Sequence, residues 1–244
     1  AKRIILNKTE ELQRIIAGRD KLYSVIAHDL RSPMGSIKMV LNMLMLNLPV
    51  EKIGGEMYEL LTMANRTTED VFSLLDNLLK WTKSQIGNLN VVYQDVDAVE
   101  VVDSVIDVFN MVAGLKKITI REEKPEKLPV CTDIDMLKTI IRNLLSNAIK
   151  FSNENSEVLV KMEEQGDTVV VSVKDSGCGI DEEGQQKLLH TDTHFSTFGT
   201  NNEEGSGLGL LLCQNFAVKI GGELGVLFKG GGGSTFYFSI PLKK

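Results

Sequence analysis

From Leu22 onward the apolar residues stand at Leu22, Ile26, Leu30, Pro33, Ile37, Leu41, Leu44 and Leu48. The intervals of 4, 4, 3, 4, 4, 3 and 4 residues hold one narrow stripe in line along a helix of about 3.6 residues per turn. A stripe of this kind faces another helix. The spacing fades in NLPVEKIGG, where Pro49, Gly54 and Gly55 supply turn chemistry. A second helical stretch follows, from about Glu56 to Ile86, with Met57, Leu61, Ala64, Val71, Leu75 and Leu78 at alternating spacing and Thr68 as a polar interruption. Two long amphipathic helices on a short loop make an antiparallel hairpin. A lone hairpin cannot bury its stripe all round, so the expected solution is a homodimer closing a four-helix bundle. The polar stretch Lys2–Arg19 is expected to continue the first helix.

After IGNLN the pattern changes, which divides the chain into a helical hairpin over 1–90 and a mixed domain over 91–244. VVYQDVD reads as a strand, Ala98–Gly114 as a helix and KITIREE as a strand. Asp133–Lys150 reads as an amphipathic helix with Asp133 as its N-cap. EVLVKMEE and TVVVSVKD form a hairpin around Gln165–Asp167, and a helix is expected from about Asp181. Leu208–Ile220 is a helix, GELGVLF a strand and STFYFSIPL a final strand. The expected architecture is α+β: the hairpin, then an α/β sandwich with one mixed sheet covered on one face by helices. The GGGG at 230–233 lies in a strand–strand connection and reads as a tight turn rather than a linker.

Composition narrows the function classes. With 43% hydrophobic and 25% charged residues over 244 positions, the chain is neither disordered nor collagen-like. A net charge of −6 argues against nucleic acid as a partner. Three cysteines, Cys131, Cys178 and Cys213, make no close-spaced ligand pair and read as reduced thiols. No apolar run reaches the roughly 18–20 residues that span a bilayer. The chain starts at Ala1 rather than Met, so a sensor domain or membrane anchor is expected upstream, with this portion in the cytoplasm.

Four motifs carry chemistry. In AHDLRSP, His28 is two residues beyond Ile26, a rotation of about 200° that turns it away from the stripe. Asp29 stands beside it as a proton acceptor and Ser32 shares its face. Pro33 removes a helix hydrogen bond and is expected to kink the helix there. In NLLSNAIKFS, Asn143 and Asn147 share a helix face with Lys150 close by, and a carboxamide oxygen can hold Mg²⁺. DSGCGI places Asp175 at a strand end with Gly177 and Gly179 allowing close backbone approach. GSGLGL precedes a helix, where glycines and free amides can cradle phosphate. It fits neither the Walker spacing nor a dinucleotide fingerprint. Taken singly, each motif also has a bland reading: a surface histidine, a solvated helix face, or a tight turn.

In their order, and closed by GGGGSTFYFSIPL, these motifs resemble the sensor histidine kinases of two-component signalling, from about Asp20 to the end of the chain. The stretch Ile180–Gly205 matches only loosely. The resemblance implies that His28 is the phosphoacceptor, that Asp29 takes its imidazole proton, and that Ser32 stands where phosphatase chemistry is steered. It implies that Asn147 is the Mg²⁺ ligand and that Asn143 and Lys150 lie near the phosphates of ATP, with Phe151 beside the nucleotide. Asp175 would read the adenine amine above Gly177 and Gly179, and Gly205, Gly207, Leu208 and Gly209 would close over the phosphates. The implied reaction moves the ATP γ-phosphoryl to His28 and then to an aspartate of a response regulator.

Three departures qualify the resemblance. Serine at 32 replaces the usual Thr or Asn and loses a rotamer-restraining methyl, which puts phosphatase activity in doubt. No Lys or Arg stands between His190 and Gly205, leaving Lys187 or a histidine to substitute. His190 and His194 have metal-pair spacing without a third ligand nearby, and read as metal-free histidines. Two alternatives stay open: an ATPase of the gyrase, chaperone or mismatch-repair kind, whose catalytic glutamate the asparagine helix lacks, and a dimeric pseudokinase scaffold.

Overall fold

The computed structural model describes residues 2–48, 54–85, 90–177, 179–180, 208–228 and 232–242. The chain divides into two compact units, Ala1–Leu89 and Asn90–Lys244. The first holds helices α1 (Lys2–Asn47) and α2 (Gly55–Gln85). The second holds β1 (Gln94–Asp97), α3 (Ala98–Leu115), β2 (Thr119–Glu123), β3 (Pro129–Thr132), α4 (Ile134–Phe151), β4 (Glu157–Gln165), β5 (Thr168–Lys174), α5 (Leu208–Lys219), β6 (Leu224–Phe228) and β7 (Ser234–Pro241). Among the described residues no helix is long and apolar enough to cross a membrane.

The hairpin closes around Ala27, Leu75 and Leu79, with Met34 and Leu78 partly buried against them. On α1 this seam lies one residue beyond the expected stripe, at Ala27 and Met34, whereas on α2 it uses the expected Leu75 and Leu78. Ile26, Leu30 and Ile37 are exposed within the single chain, whereas Ala27 is fully buried. The small Ala27 side chain lets the helices approach. Longer side chains take over the next turns: Arg31 pairs with Asp76 and lies over the Phe72 ring, 5.8 Å from its centroid. Lys38 stands 5.5 Å from the same centroid and 3.5 Å from Glu69. Helix α1 runs through Pro33 without a break in its assignment. The proline still removes the donor that would meet the carbonyl of Asp29.

The second unit carries a five-stranded mixed sheet in the order β2-β4-β5-β7-β6. β2 runs parallel to β4, and the other neighbours are antiparallel. One expectation needs correction: VVYQDVD does not join this sheet. Its strand β1 pairs with β3, a four-residue strand absent from the sequence reading, in a separate two-stranded sheet. β3 is too short for alternation to reveal it, and only its partner defines it. Val158, Val160 and Met162 of β4 and Val169, Val171 and Val173 of β5 are buried on one face. Leu137, Ile140, Ile141, Leu144 and Leu145 of α4 are buried as well, so the core lies between sheet and helices. At about 1.5–3 kcal/mol per buried side chain of this size, this layer dominates the stability of the second unit.

Both long helices of the sandwich begin on aspartate. Asp97 accepts from the amides of Val99 and Leu128, each at 3.0 Å, and so caps α3 while holding the segment before β3. Asp133 accepts from Asp135 and Met136 at 3.0 Å, and its second oxygen accepts from Val92 at 2.8 Å. Each cap contributes roughly 1 kcal/mol. Asp133 also aims α4, the helix that carries both asparagines.

Candidate functional site

On the hairpin, the His28 side chain is 80% exposed, and its Nδ1 lies 3.1 Å from Oδ1 of Asp29. With the carboxylate as acceptor, the tautomer that carries its proton on Nδ1 makes this contact a hydrogen bond and keeps the lone pair on Nε2. Ser32 lies one turn further along, exposed, and its carbonyl accepts from Ser36 Oγ at 3.2 Å. The imidazole is therefore accessible and oriented, and it contributes no core packing.

In the second unit, α4 buries Leu144, Leu145, Ala148 and Ile149 and leaves Asn143, Asn147 and Lys150 half-buried along one edge. Asn143 Nδ2 donates to Thr139 O at 2.9 Å. Its Oδ1 faces the start of α5, where a Cβ on Gly209 would come within 2.8 Å of it. Gly209 is thus small because Asn143 packs on it, a reason the glycine spacing alone did not disclose. Asn147 makes no side-chain hydrogen bond among the described residues, so its carboxamide oxygen is free to serve as a ligand. Lys150 Nζ lies 5.3 Å from the centroid of the Phe151 ring.

Asp175 directly follows β5 and is 5% exposed. The amide of Gly177 donates to its Oδ1 at 2.9 Å, and its own amide donates to Ser234 O at 2.9 Å. Burial pushes the carboxyl above its ordinary range, and the backbone amides of Gly177 and Ser234 pull it part of the way back. The folded chain then binds this proton more tightly than the unfolded one. The contribution to stability is present below the unfolded pKa and is lost as pH rises through the folded pKa. A donor from a ligand would favour the ionised form. Such a buried carboxylate at a strand end suits an exocyclic amine.

The glycines around Asp175 are spaces that side chains would fill. A Cβ on Gly177 would stand 2.2 Å from Phe151 O, and one on Gly233 would stand 2.2 Å from Asp175 O. Gly179 and Gly233 also have φ of +75° and +79°. Gly233 N donates to Gly177 O at 2.8 Å, so the end of the GGGG run is a turn packed on the DSG loop. We expect Gly177→Ala to cost about 1–3 kcal/mol, the usual penalty of overpacking. Calorimetry would read this as a melting point lowered by several degrees, with weaker nucleotide binding.

Sequence reasoning missed two supports of this loop. Ser152 Oγ accepts from Ser176 N at 3.1 Å, and Ser176 Oγ donates to Glu157 O at 2.6 Å. Serines in such a stretch carry no pattern that would have marked them. Leu208 and Gly209 open α5. Gly205, Gly207, Cys178, Lys187, His190 and His194, and the helix expected from Asp181, lie outside the described residues.

The family described as histidine kinase-, DNA gyrase B-, and HSP90-like ATPase matches residues 132–244. The adaptive-response sensory kinase SasA of Crocosphaera subtropica is 29% identical over 96% of this chain and 62% of its own length. The sensor protein KdpD of Clostridium acetobutylicum is 34% identical over 98% of this chain and 27% of its own length. Along most of its length this chain is similar to sensor histidine kinases, and residues 132–244 carry the ATPase domain of the histidine kinase, gyrase B and HSP90 kind. It spans under two thirds of the length of these two relatives. The fold agrees. Full-length ShkA, solved in complex with AMPPNP, matches with a TM-score of 0.69 at 22% identity, over 92% of this chain and 46% of that one. The catalytic domain of the histidine kinase ThkA matches with a TM-score of 0.54 at 28% identity, over 62% of this chain and 96% of that one. Residues 132–244, within the second unit, are accordingly an ATP-binding domain of the histidine kinase-, DNA gyrase B- and HSP90-like family.

Proposed function

We propose that this chain is the core of a sensor kinase that moves the γ-phosphoryl group of ATP to His28 and then to an aspartate of a response regulator. Asp175 accepts from the adenine amine, and Gly177 and Gly179 leave room for the purine. Phe151 packs beside the base, and Asn143, Lys150 and the glycines Gly205, Gly207 and Gly209 attend the phosphates. Asn147 holds Mg²⁺ through its side-chain oxygen; when bound, the metal neutralises charge on the phosphates. The residues fit these groups: a buried carboxylate, a cradle that a Cβ would fill, and a carboxamide free to coordinate.

At His28, the Nε2 lone pair attacks the γ-phosphorus, the Nε2–P bond forms, and the bond to the bridging oxygen breaks to release ADP. Asp29 then takes the proton from Nδ1, which neutralises the imidazolium. Catalysis of this kind is mainly positioning and charge stabilisation, so the ATP-binding unit must be brought to His28 during the reaction. The exposed Ile26, Leu30 and Ile37 support a homodimer that covers them. We place this core on the cytoplasmic side of a membrane-anchored sensor, in keeping with the sensor proteins it resembles. The hydroxyl of Ser32 is the candidate for steering water in a phosphatase step.

The observation that carries the reading is the exposed His28 imidazole, whose Nδ1 is engaged by Asp29. The test is incubation with Mg²⁺ and γ-labelled ATP. We expect protein-bound label that is acid-labile and alkali-stable, as a phosphoramidate is. ATP turnover with unlabelled protein would instead indicate a hydrolase.

A further inference from the structure

A buried lysine outside the pocket holds the carboxyl end of the asparagine helix. Lys116 is 7% exposed, and its Nζ donates to Ile149 O at 3.0 Å and to Lys150 O at 2.8 Å. These are last-turn carbonyls of α4, which have no donor within the helix. Ala148 O, one residue earlier, is met by Ser152 N at 3.0 Å. The cation also faces the negative end of the helix dipole.

The base of this lysine is itself fixed. Its amide donates to Ala113 O at 3.0 Å at the end of α3, and Ile118 N donates to the same carbonyl at 2.9 Å. Lys117 between them has φ of +54°, which turns the chain into β2. Lys116 therefore ties the end of α3 to the end of α4, 33 residues later.

Beyond the held carbonyls the chain runs into the site. Phe151 O sits where only a glycine fits at 177, and Ser152 bridges Gly177. Ser152 Oγ receives Ser176 N, and Gly177 N holds the Asp175 carboxylate. We infer that Lys116 is a positioning residue for the nucleotide site, setting the Phe151–Ser152 end of α4 so that the DSG loop presents Asp175. This rests on the nucleotide-binding reading above. In this role Lys116 acts through the carbonyls of α4 and takes no part in the transfer at His28.

The test compares the full chain with Lys116→Met, which keeps the buried stem and removes the donors. Calorimetric titration with Mg²⁺ and AMPPNP is expected to show affinity weakened about tenfold, while the phosphorylation rate at saturating ATP stays within about twofold. Hydrogen exchange at the amides of Ser176 and Gly177 is expected to accelerate, with Val160 and Val171 in the sheet unchanged. A merely structural lysine would loosen the sheet amides as well. Wild-type affinity in Lys116→Met, or uniform loss of protection, overturns the inference. If Lys116→Met does not fold, Ser152→Ala, which cuts the same tie downstream, must show the same loss of affinity; unchanged binding in that variant overturns the inference too. A wild-type chain that does not bind AMPPNP overturns the nucleotide reading itself, an outcome distinct from binding that the substitutions leave intact.

Discussion

His28→Gln is expected to eliminate acid-labile labelling from γ-labelled ATP while leaving fold and nucleotide affinity as they are. The imidazole side chain is 80% exposed and belongs to no buried cluster. Its removal should therefore change stability by no more than about 0.5 kcal/mol in either direction. Glutamine keeps the helix and a polar surface but has no lone pair able to form a phosphoramidate. Asp29, left without its imidazole, remains solvated. The check is label on the purified variant set against wild type, with circular dichroism and AMPPNP titration as controls. Acid-labile label persisting on His28→Gln would move the phosphoacceptor elsewhere.

Asn147→Ala should have an effect almost as large by a different route. Asn147 is half-buried on the polar edge of α4, and its carboxamide is uncommitted among the described residues. Helix propensity favours alanine there, so the fold is not at risk. The loss is in the alignment of charge-neutralising groups with the phosphates, and a fall of about two to four orders of magnitude in labelling rate is expected. Because Asn147 lies in the second unit and His28 in the first, the variant should still accept phosphate at His28 by reversal from a phosphorylated regulator. Calorimetry should also show nucleotide binding that no longer responds to Mg²⁺. Wild-type labelling by purified Asn147→Ala protein would place the metal on another residue.

The legible parts of this chain are those fixed by neighbours a few residues away. The 3/4 spacing of apolar residues defined the second hairpin helix to within one residue at each end and the carboxyl end of the first, but it did not mark the twenty residues of the first helix before Leu22. Asp133 announced α4, because an N-cap bonds to amides two and three residues on. The β4–β5 hairpin followed from alternation and from the turn at Gly166, which has φ of +63°. The glycines at 177 and 179 marked a close approach from the local strand–turn pattern. What the stripe could not show was which of two adjacent rows closes the hairpin within one chain. The answer, Ala27 rather than Ile26, depends on how Arg31 and Phe72 fill the facing turns.

The amino-acid sequence alone determined the periods, caps and turns of this protein, and with them the order of its motifs. Tertiary structure decided everything that required two distant segments to meet. β3 exists as a strand because β1 lies beside it, and β2 finds β4 in parallel across the whole of α4. Gly209 is needed because Asn143 reaches it from another helix, and Gly233 because it closes on Asp175. The ammonium of Lys116 meets two carbonyls of α4 that no sequence pattern couples to it. Local hydrogen bonds and side-chain periods are encoded over a few residues. Long-range packing, the Lys116 contact at the end of α4 and the raised pKa of Asp175 instead depend on which groups exclude water from one another once the chain has closed.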